Sequence, residues 1–351
     1  MPDVISYIYA NHSFPPDARE QVKLIADKIK TAFTEMINSI TSTFGYSDNL
    51  FNMSVLGRRY EHIPNLPLES SFLDILAAVR KNRKLNELKL LREEETQDVI
   101  TVIRRDLKDC DHKSFRSDDH LVFPMEFFRE PFFTYNLPWS LNFGSFGSVF
   151  AHQLLHRLHL GVHPDPDTGY YNVKSCDLFV GNDGNKCSEK TQCFLSQYKN
   201  AIEPMFNKTS EQYLSTLQEN IKKLISRMIS DGYPSNLERS MPGYIGDNSG
   251  INLVLKAYKT LLQEECDNTE TRLKGLEGYS SMQLLFFARA MASCGIMKGE
   301  KLPFWMVDNQ HSPYEYRVNL PMQNSAAFAE AFHCEENTKM YRKESERCTF
   351  W

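Results

Sequence analysis

The sequence predicts a mainly α protein with a small β element. Two observations carry this: apolar residues recur at three- and four-residue spacing along several segments, and one aromatic, proline-bearing stretch lacks that period. The first helix opens at Asp17, a capping residue type just after Pro15-Pro16, and Val22, Ile25, Ile29, Phe33, Met36 and Ile40 then share one face. Residues 70–95 also have a helical pattern. Their basic face (Arg80, Lys81, Arg83, Lys84, Lys89) is accounted for as a solvated helix surface and requires no anionic partner. Residues 120–147 are irregular, with a short strand expected at Leu121–Phe123. A helix follows from about Ser148 and is expected to end near Gly161 and Pro164; residues 164–190, rich in Pro, Gly, Asp and Asn, are expected to form a loop. Leu214, Leu217, Ile221, Leu224, Ile225 and Met228 form a further amphipathic helix, expected to stop at Gly232 and Pro234. Helices are also expected at about 248–263 and 281–294, with the last fifty residues mostly loop.

The chain has 351 residues, 41% hydrophobic and 24% charged, which is ordinary globular composition for one large or two smaller domains. A net charge of −5, from 40 basic and 45 acidic residues, carries no footprint of a nucleic-acid or anionic-membrane partner. The opening residues lack a basic segment followed by a long apolar run, so no export signal is expected in this chain. The most apolar stretch, Leu284 to Ala292, is too short to span a bilayer and contains Arg289. The eight cysteines (Cys110, Cys176, Cys187, Cys193, Cys266, Cys294, Cys334, Cys348) form no Cys-x-x-Cys pair, which disfavours a zinc ribbon or a redox dithiol. Their even number suits disulfides in an exported protein, although a cytosolic chain could carry eight free thiols. Cys176 and Cys187 are close enough in sequence for a local loop closure. Glycosylation sequons at Asn11, Asn52 and Asn207 lean the same way, towards export.

The chemistry centres on His152-Gln153-Leu154-Leu155-His156. Two histidines four apart on a helix leave from one face and both reach a zinc ion. In a zinc peptidase the residue after the first histidine is glutamate, the general base that takes a proton from the attacking water and hands it to the leaving amine. Gln153 is nearly isosteric with glutamate but does not titrate. His159 and His163 continue the series at helical spacing; they reach the same metal only if the helix breaks near Gly161 and returns His163, so solvated or packed histidines are the simpler reading.

The surrounding residues sharpen this. Val122-Phe123-Pro124, Pro131-Phe132-Phe133 and Ser140-Leu141-Asn142-Phe143-Gly144 precede the histidine pair. Asp247-Asn248-Ser249-Gly250, Gln283 through Phe287 with Cys294-Gly295, His311-Ser312-Pro313, Tyr316-Arg317-Val318-Asn319, Gln323-Asn324-Ser325 and the terminal Cys348-Thr349-Phe350-Trp351 follow it. In order and spacing these resemble the zinc domain of the neprilysin and endothelin-converting enzyme family. The resemblance implies a thermolysin-like zinc-peptidase lobe at 116–351, preceded at 1–115 by a helical region that matches more loosely.

The resemblance also implies a damaged site. His152 and His156 match the two zinc-binding histidines, and Gln153 stands where the catalytic glutamate belongs. The third zinc ligand is a family glutamate, and Gly243 occupies its position. Asp247 matches the carboxylate that orients a zinc histidine, while His311 and Arg317 match residues implied to stabilise the transition state and bind substrate. The family's substrate-holding Asn-Ala-aromatic strand has no counterpart in Asp109–Phe115. Cys193 is implied to pair with Cys348; Cys294 and Cys334 match cysteines whose family partners this chain does not contain.

The expected function is therefore that of a catalytically inactive peptidase homologue, with zinc weak or absent and a peptide or protein ligand in place of a substrate. The alternative is an active or weakly active zinc endopeptidase of oligopeptides with a non-standard metal site. Family resemblance implies an extracellular or cell-surface location.

Overall fold

The computed structural model describes residues 14–40, 69–90, 115–117, 120–123, 125–156, 161–164, 171–175, 184–298, 301–309 and 311–350. The described residues are mostly helical, with two small antiparallel hairpins. They divide into two compact units, one from Met1–Lys30 and Gly45–Leu137, the other from Thr31–Phe44 and Pro138–Trp351.

Helix α1 (Pro16–Ile40) starts beside the expected cap and buries Val22, Ile25, Ile29 and Phe33, the predicted face. In the first unit Phe14 packs against Phe128 and Phe133, with ring centroids 5.1 and 6.1 Å away. Helix α2 (Phe72–Leu90) exposes Arg80, Lys81 and Lys84, as a solvated face does. Strands β1 (Phe115–Ser117) and β2 (His120–Val122) pair with Arg116 opposite Leu121, which places the expected strand one residue earlier.

From Pro138 onward the second unit contains α3 (Trp139–Asn142), a π turn over Phe143–Gly147, and α4 (Ser148–His156). Strands β3 (Gly161–Pro164) and β4 (Tyr171–Ser175) then pair antiparallel, with Gly161 opposite Ser175. The long helices α5 (Gly184–Leu214), α6 (Glu219–Arg239) and α7 (Met241–Glu265) follow. After them come α8 (Ser281–Ala292), α9 (Leu302–Asp308), α10 (Tyr314–Asn324) and α11 (Ala326–Ala331).

Four expectations need correction. The loop over 164–190 contains β4 and the start of α5. The helix expected from Leu214 is split, because α5 ends at Leu214 and α6 begins at Glu219. Helix α6 also continues through Gly232 and Pro234. Pro234 is exposed, so the carbonyl its ring deprives of a donor is open to water; a Cβ on Gly232 would lie 2.5 Å from Val307 Cγ1, so Gly232 admits a close neighbour. Lastly, the C-terminal fifty residues, expected to be mostly loop, carry all of α9, α10 and α11, although α9 has a proline at its start and α10 contains Pro321.

The core of this unit joins α5, α6 and α7. Tyr198 stacks on Tyr244 at 3.8 Å and Phe206 on Tyr233 at 3.9 Å, among Ile202, Leu237 and Met306. A buried amide network crosses it. Asn248 donates to the Tyr198 hydroxyl (2.9 Å) and the Tyr244 carbonyl (2.7 Å), and Asn324 donates to Asn248 Oδ1 (2.7 Å) and Gln197 Oε1 (2.9 Å). Asn324 Oδ1 in turn accepts from the Cys348 backbone N–H at 3.1 Å. Asn248 and Asn324, both inside the family-like motifs, thus have a structural role, since buried amides must be satisfied.

Cys193 and Cys348 form the disulfide implied by resemblance, across a sequence separation of 155. Cys266, Cys294 and Cys334 are free thiols. Cys110 and Cys176 lie outside the described residues. Closing so long a loop restricts the unfolded chain, so replacing both cysteines with serine is expected to lower stability by about 2–5 kcal/mol. A urea melt of the double variant beside the parent checks this.

Candidate metal centre

Helix α4 buries Phe150, Ala151, Leu154 and Leu155, and its register sends His152 and His156, one turn apart, out together. It packs along α7, which presents Gly246 and Gly250 to it. A Cβ on Gly250 would lie 3.4 Å from the His152 backbone nitrogen, and one on Gly246 2.9 Å from His152 Nδ1. These two positions set how near the ring comes to α7. Gly246→Ala is expected to cost about 1–3 kcal/mol through overpacking, because the buried ring has neighbours on both sides. A shifted denaturation midpoint with unchanged far-UV circular dichroism is the expected readout.

Three imidazoles converge here. His152 Nε2 lies 2.8 Å from His156 Nε2 and 3.3 Å from His311 Nε2. His311 arrives from the segment between α9 and α10. Its N–H donates to Asn309 Oδ1 (3.0 Å), and its carbonyl accepts from Trp305 Nε1 (3.2 Å). Among the described residues, His152, His156 and His311 form a group able to hold a metal ion, their ligand nitrogens all within 4.8 Å of one another.

On the far side of His152 its Nδ1 lies 2.9 Å from Asp247 Oδ1, a close contact off the line of a straight hydrogen bond. Asp247 is buried and held by two arginines. Arg317 donates to both oxygens, Nε to Oδ2 at 2.9 Å and a terminal nitrogen to Oδ1 at 3.0 Å, and Arg289 donates to Oδ1 at 3.0 Å. Burial pushes the Asp247 carboxyl up, but Arg317, His152 and Arg289 together outweigh it and hold it well below the usual range. Burial lowers His152 despite Asp247 beside it. His156 is pushed well below its ordinary value by burial and then by His152 and His311. Both rings are thus biased to the neutral form that ligates metals.

The predicted residues fall as follows. His152, His156, His311, Asp247 and Arg317 are brought together. Gln153 is half-buried on α4 between the two histidines. Gly243 is buried on α7, one turn before Asp247, and brings no side chain to the centre. His163 lies on β3 and α4 ends at His156, so the four histidines are not one helical series; His159 lies outside the described residues. Asn207 is exposed on α5, whereas Asn11 and Asn52 lie outside the described residues. Arg289, a member of the centre, was not singled out for it from sequence. The available signal was a lone cation inside the apolar stretch Leu284 to Ala292, which must find a partner when buried.

The match to known proteins covers this centre. The family model for peptidase family M13 matches residues 115–230 and 231–348. Human membrane metallo-endopeptidase-like 1 is 26% identical over 377 residues, which cover 100% of this chain and 43% of the relative. Mouse neprilysin is 24% identical over 373 residues, covering 100% of this chain and 44% of the relative. The chain thus spans less than half the length of these relatives. The Mycobacterium tuberculosis zinc metalloprotease Zmp1 in its open state superposes with a TM-score of 0.63 at 17% identity, over 99% of this chain and 50% of that one. PepO from Lactobacillus rhamnosis gives 0.55 at 18% identity, over 100% and 50%. With its helical lobe, its histidine pair and a family match over most of its length, this chain belongs to peptidase family M13, the neprilysin family of zinc peptidases.

Proposed function

We propose that this chain is a catalytically inactive neprilysin-like peptidase homologue that binds a peptide or protein without cleaving it. One observation carries the reading: Gln153 occupies the place of the general base, between the two metal-type histidines of α4. A positioned base contributes ~10²–10⁴-fold to such a reaction, and an amide supplies none of it. Asp247 offers no substitute, since Arg289, Arg317 and His152 occupy its oxygens. Zinc, when bound, activates water and polarises the scissile carbonyl. Of the family's ligand set only His152 and His156 remain, so zinc held through that set alone is weak.

His311 and Arg317 keep their places at the centre and make it the peptide-facing surface in this reading. The family match over 115–348 supports a peptidase domain at 116–351 with 1–115 as a leading segment. The Cys193–Cys348 disulfide supports an extracellular or cell-surface location, and one relative is named a membrane metallo-endopeptidase. No described helix is long and apolar enough to cross a membrane.

The test incubates the zinc-loaded chain with a defined oligopeptide mixture and follows it by mass spectrometry. Intact peptides, some of them retained by the immobilised chain, are the expected result. Fragments that appear with the chain and not with its His152→Ala variant would establish the second reading, a zinc endopeptidase with a non-standard metal site. That reading is favoured by one feature, the third imidazole from His311.

A further inference from the structure

We propose that His311 takes the place of the missing glutamate as third metal ligand, so that His152, His156 and His311 form a three-histidine zinc site. The inference goes beyond the inactive-homologue reading and stands apart from it, since a metal can be held with or without turnover.

The first argument is a count of lone pairs. An imidazole nitrogen carries either one N–H or one lone pair. His152 Nε2 nevertheless has two imidazole nitrogens beside it, at 2.8 and 3.3 Å. It can pair with only one of them by a hydrogen bond. A cation between the rings takes a lone pair from all three at once.

The second argument is geometric. Tetrahedral zinc with Zn–N bonds of 2.0–2.1 Å places its nitrogens about 3.3 Å apart. One observed separation, 3.3 Å, matches that edge and the other, 2.8 Å, is shorter, and all three atoms lie within 4.8 Å of one another.

The third is the support behind the rings. A histidine ligand usually sets its other ring nitrogen against a carboxylate, which fixes the tautomer and orients the ring. His152 Nδ1 faces Asp247 in this way, and Asp247 is itself fixed by Arg289 and Arg317. His311 is held through its backbone by Asn309 and Trp305. Position 243, on the same helix as Asp247, offers nothing to compete. Three imidazoles leave a fourth position for water or an incoming ligand. A His311 nitrogen committed to metal is withdrawn from the transition-state role implied by resemblance.

The test uses the full chain and cobalt(II), whose visible absorption reports coordination number, with zinc affinity measured by competition against a chromophoric chelator. The wild type is expected to bind one ion per chain with the intense bands of a four-coordinate site. His311→Ala is expected to bind at least ~100-fold more weakly, since losing even an outer-shell partner costs 10–100-fold. His311→Cys is expected to show a thiolate-to-cobalt charge-transfer band, which arises only if position 311 ligates; it decides the matter if His311→Ala fails to melt cooperatively. Equal affinity of wild type and His311→Ala, or a cobalt-loaded His311→Cys without that band, overturns the proposal. Peptide cleavage is followed on the same samples. Turnover would overturn the inactive reading and leave the ligand set standing, whereas absent metal would do the reverse.

Discussion

Asp247→Ala is expected to destabilise the protein by about 3–5 kcal/mol, the loss that follows when one partner of a buried ion pair is removed and the other charge stays. The group left behind is mainly Arg289, buried on α8 with its remaining contacts to Ser293 and the Arg317 carbonyl. Arg317 is less affected, since 22% of its side chain is exposed and it can turn towards water. His152 loses the carboxylate behind its ring at the same time. A urea titration of Asp247→Ala beside the parent measures the loss. The Asp247→Leu/Arg289→Met double variant is expected to recover part of it, because no charge then remains buried between α7 and α8. The same carboxylate gives a pH dependence. Its native value lies well below the ordinary aspartate value, since Arg317, His152 and Arg289 together overcome burial. Its contribution is therefore complete above about pH 4, where the unfolded group is ionised, and is lost as pH falls further.

Gln153→Glu is expected to raise peptide cleavage at least ~10²-fold above the wild-type background, the lower bound for a positioned general base. Position 153 is half-buried, and a glutamate there has the volume of the glutamine it replaces. The readout is the initial rate on an internally quenched fluorescent peptide, with zinc content determined on the same sample. A zinc-loaded variant still at background would show that position 153 is not what blocks turnover, and would shift the cause to the missing ligand at 243 or to the Asn-Ala-aromatic sequence lacking from Asp109–Phe115.

The histidine pair of α4 was legible in sequence because a spacing of four on a regular helix fixes a shared face whatever surrounds it. Asp247 and Gly243 were legible only through the family-like motif around them. The junction of His152 with His311, 159 residues apart, has no local signature and depends on how α9, α10 and their connection return to α4. Resemblance gave His311 a place near the substrate and did not indicate that its nitrogen meets the other two. Arg289 was visible as an anomaly, a cation in an apolar helix, but its partner lies on α7. Helix α6 ran past its expected limit at Gly232 and Pro234, just as α5 contains Pro204. Pro204 and Pro234 are both exposed, where a missing backbone bond is open to water and a proline need not end a helix. Breaker residues gave the wrong answer there because tertiary burial decides their cost.

The central proposal is that this chain keeps the histidine pair of a zinc peptidase centre and lacks its turnover. The measurement that tests it most directly is the cleavage rate of the purified, zinc-saturated wild-type chain on an internally quenched peptide, beside His152→Ala prepared in the same way. The account predicts equal rates at background level. A chelator-sensitive rate above background that disappears in His152→Ala would contradict it.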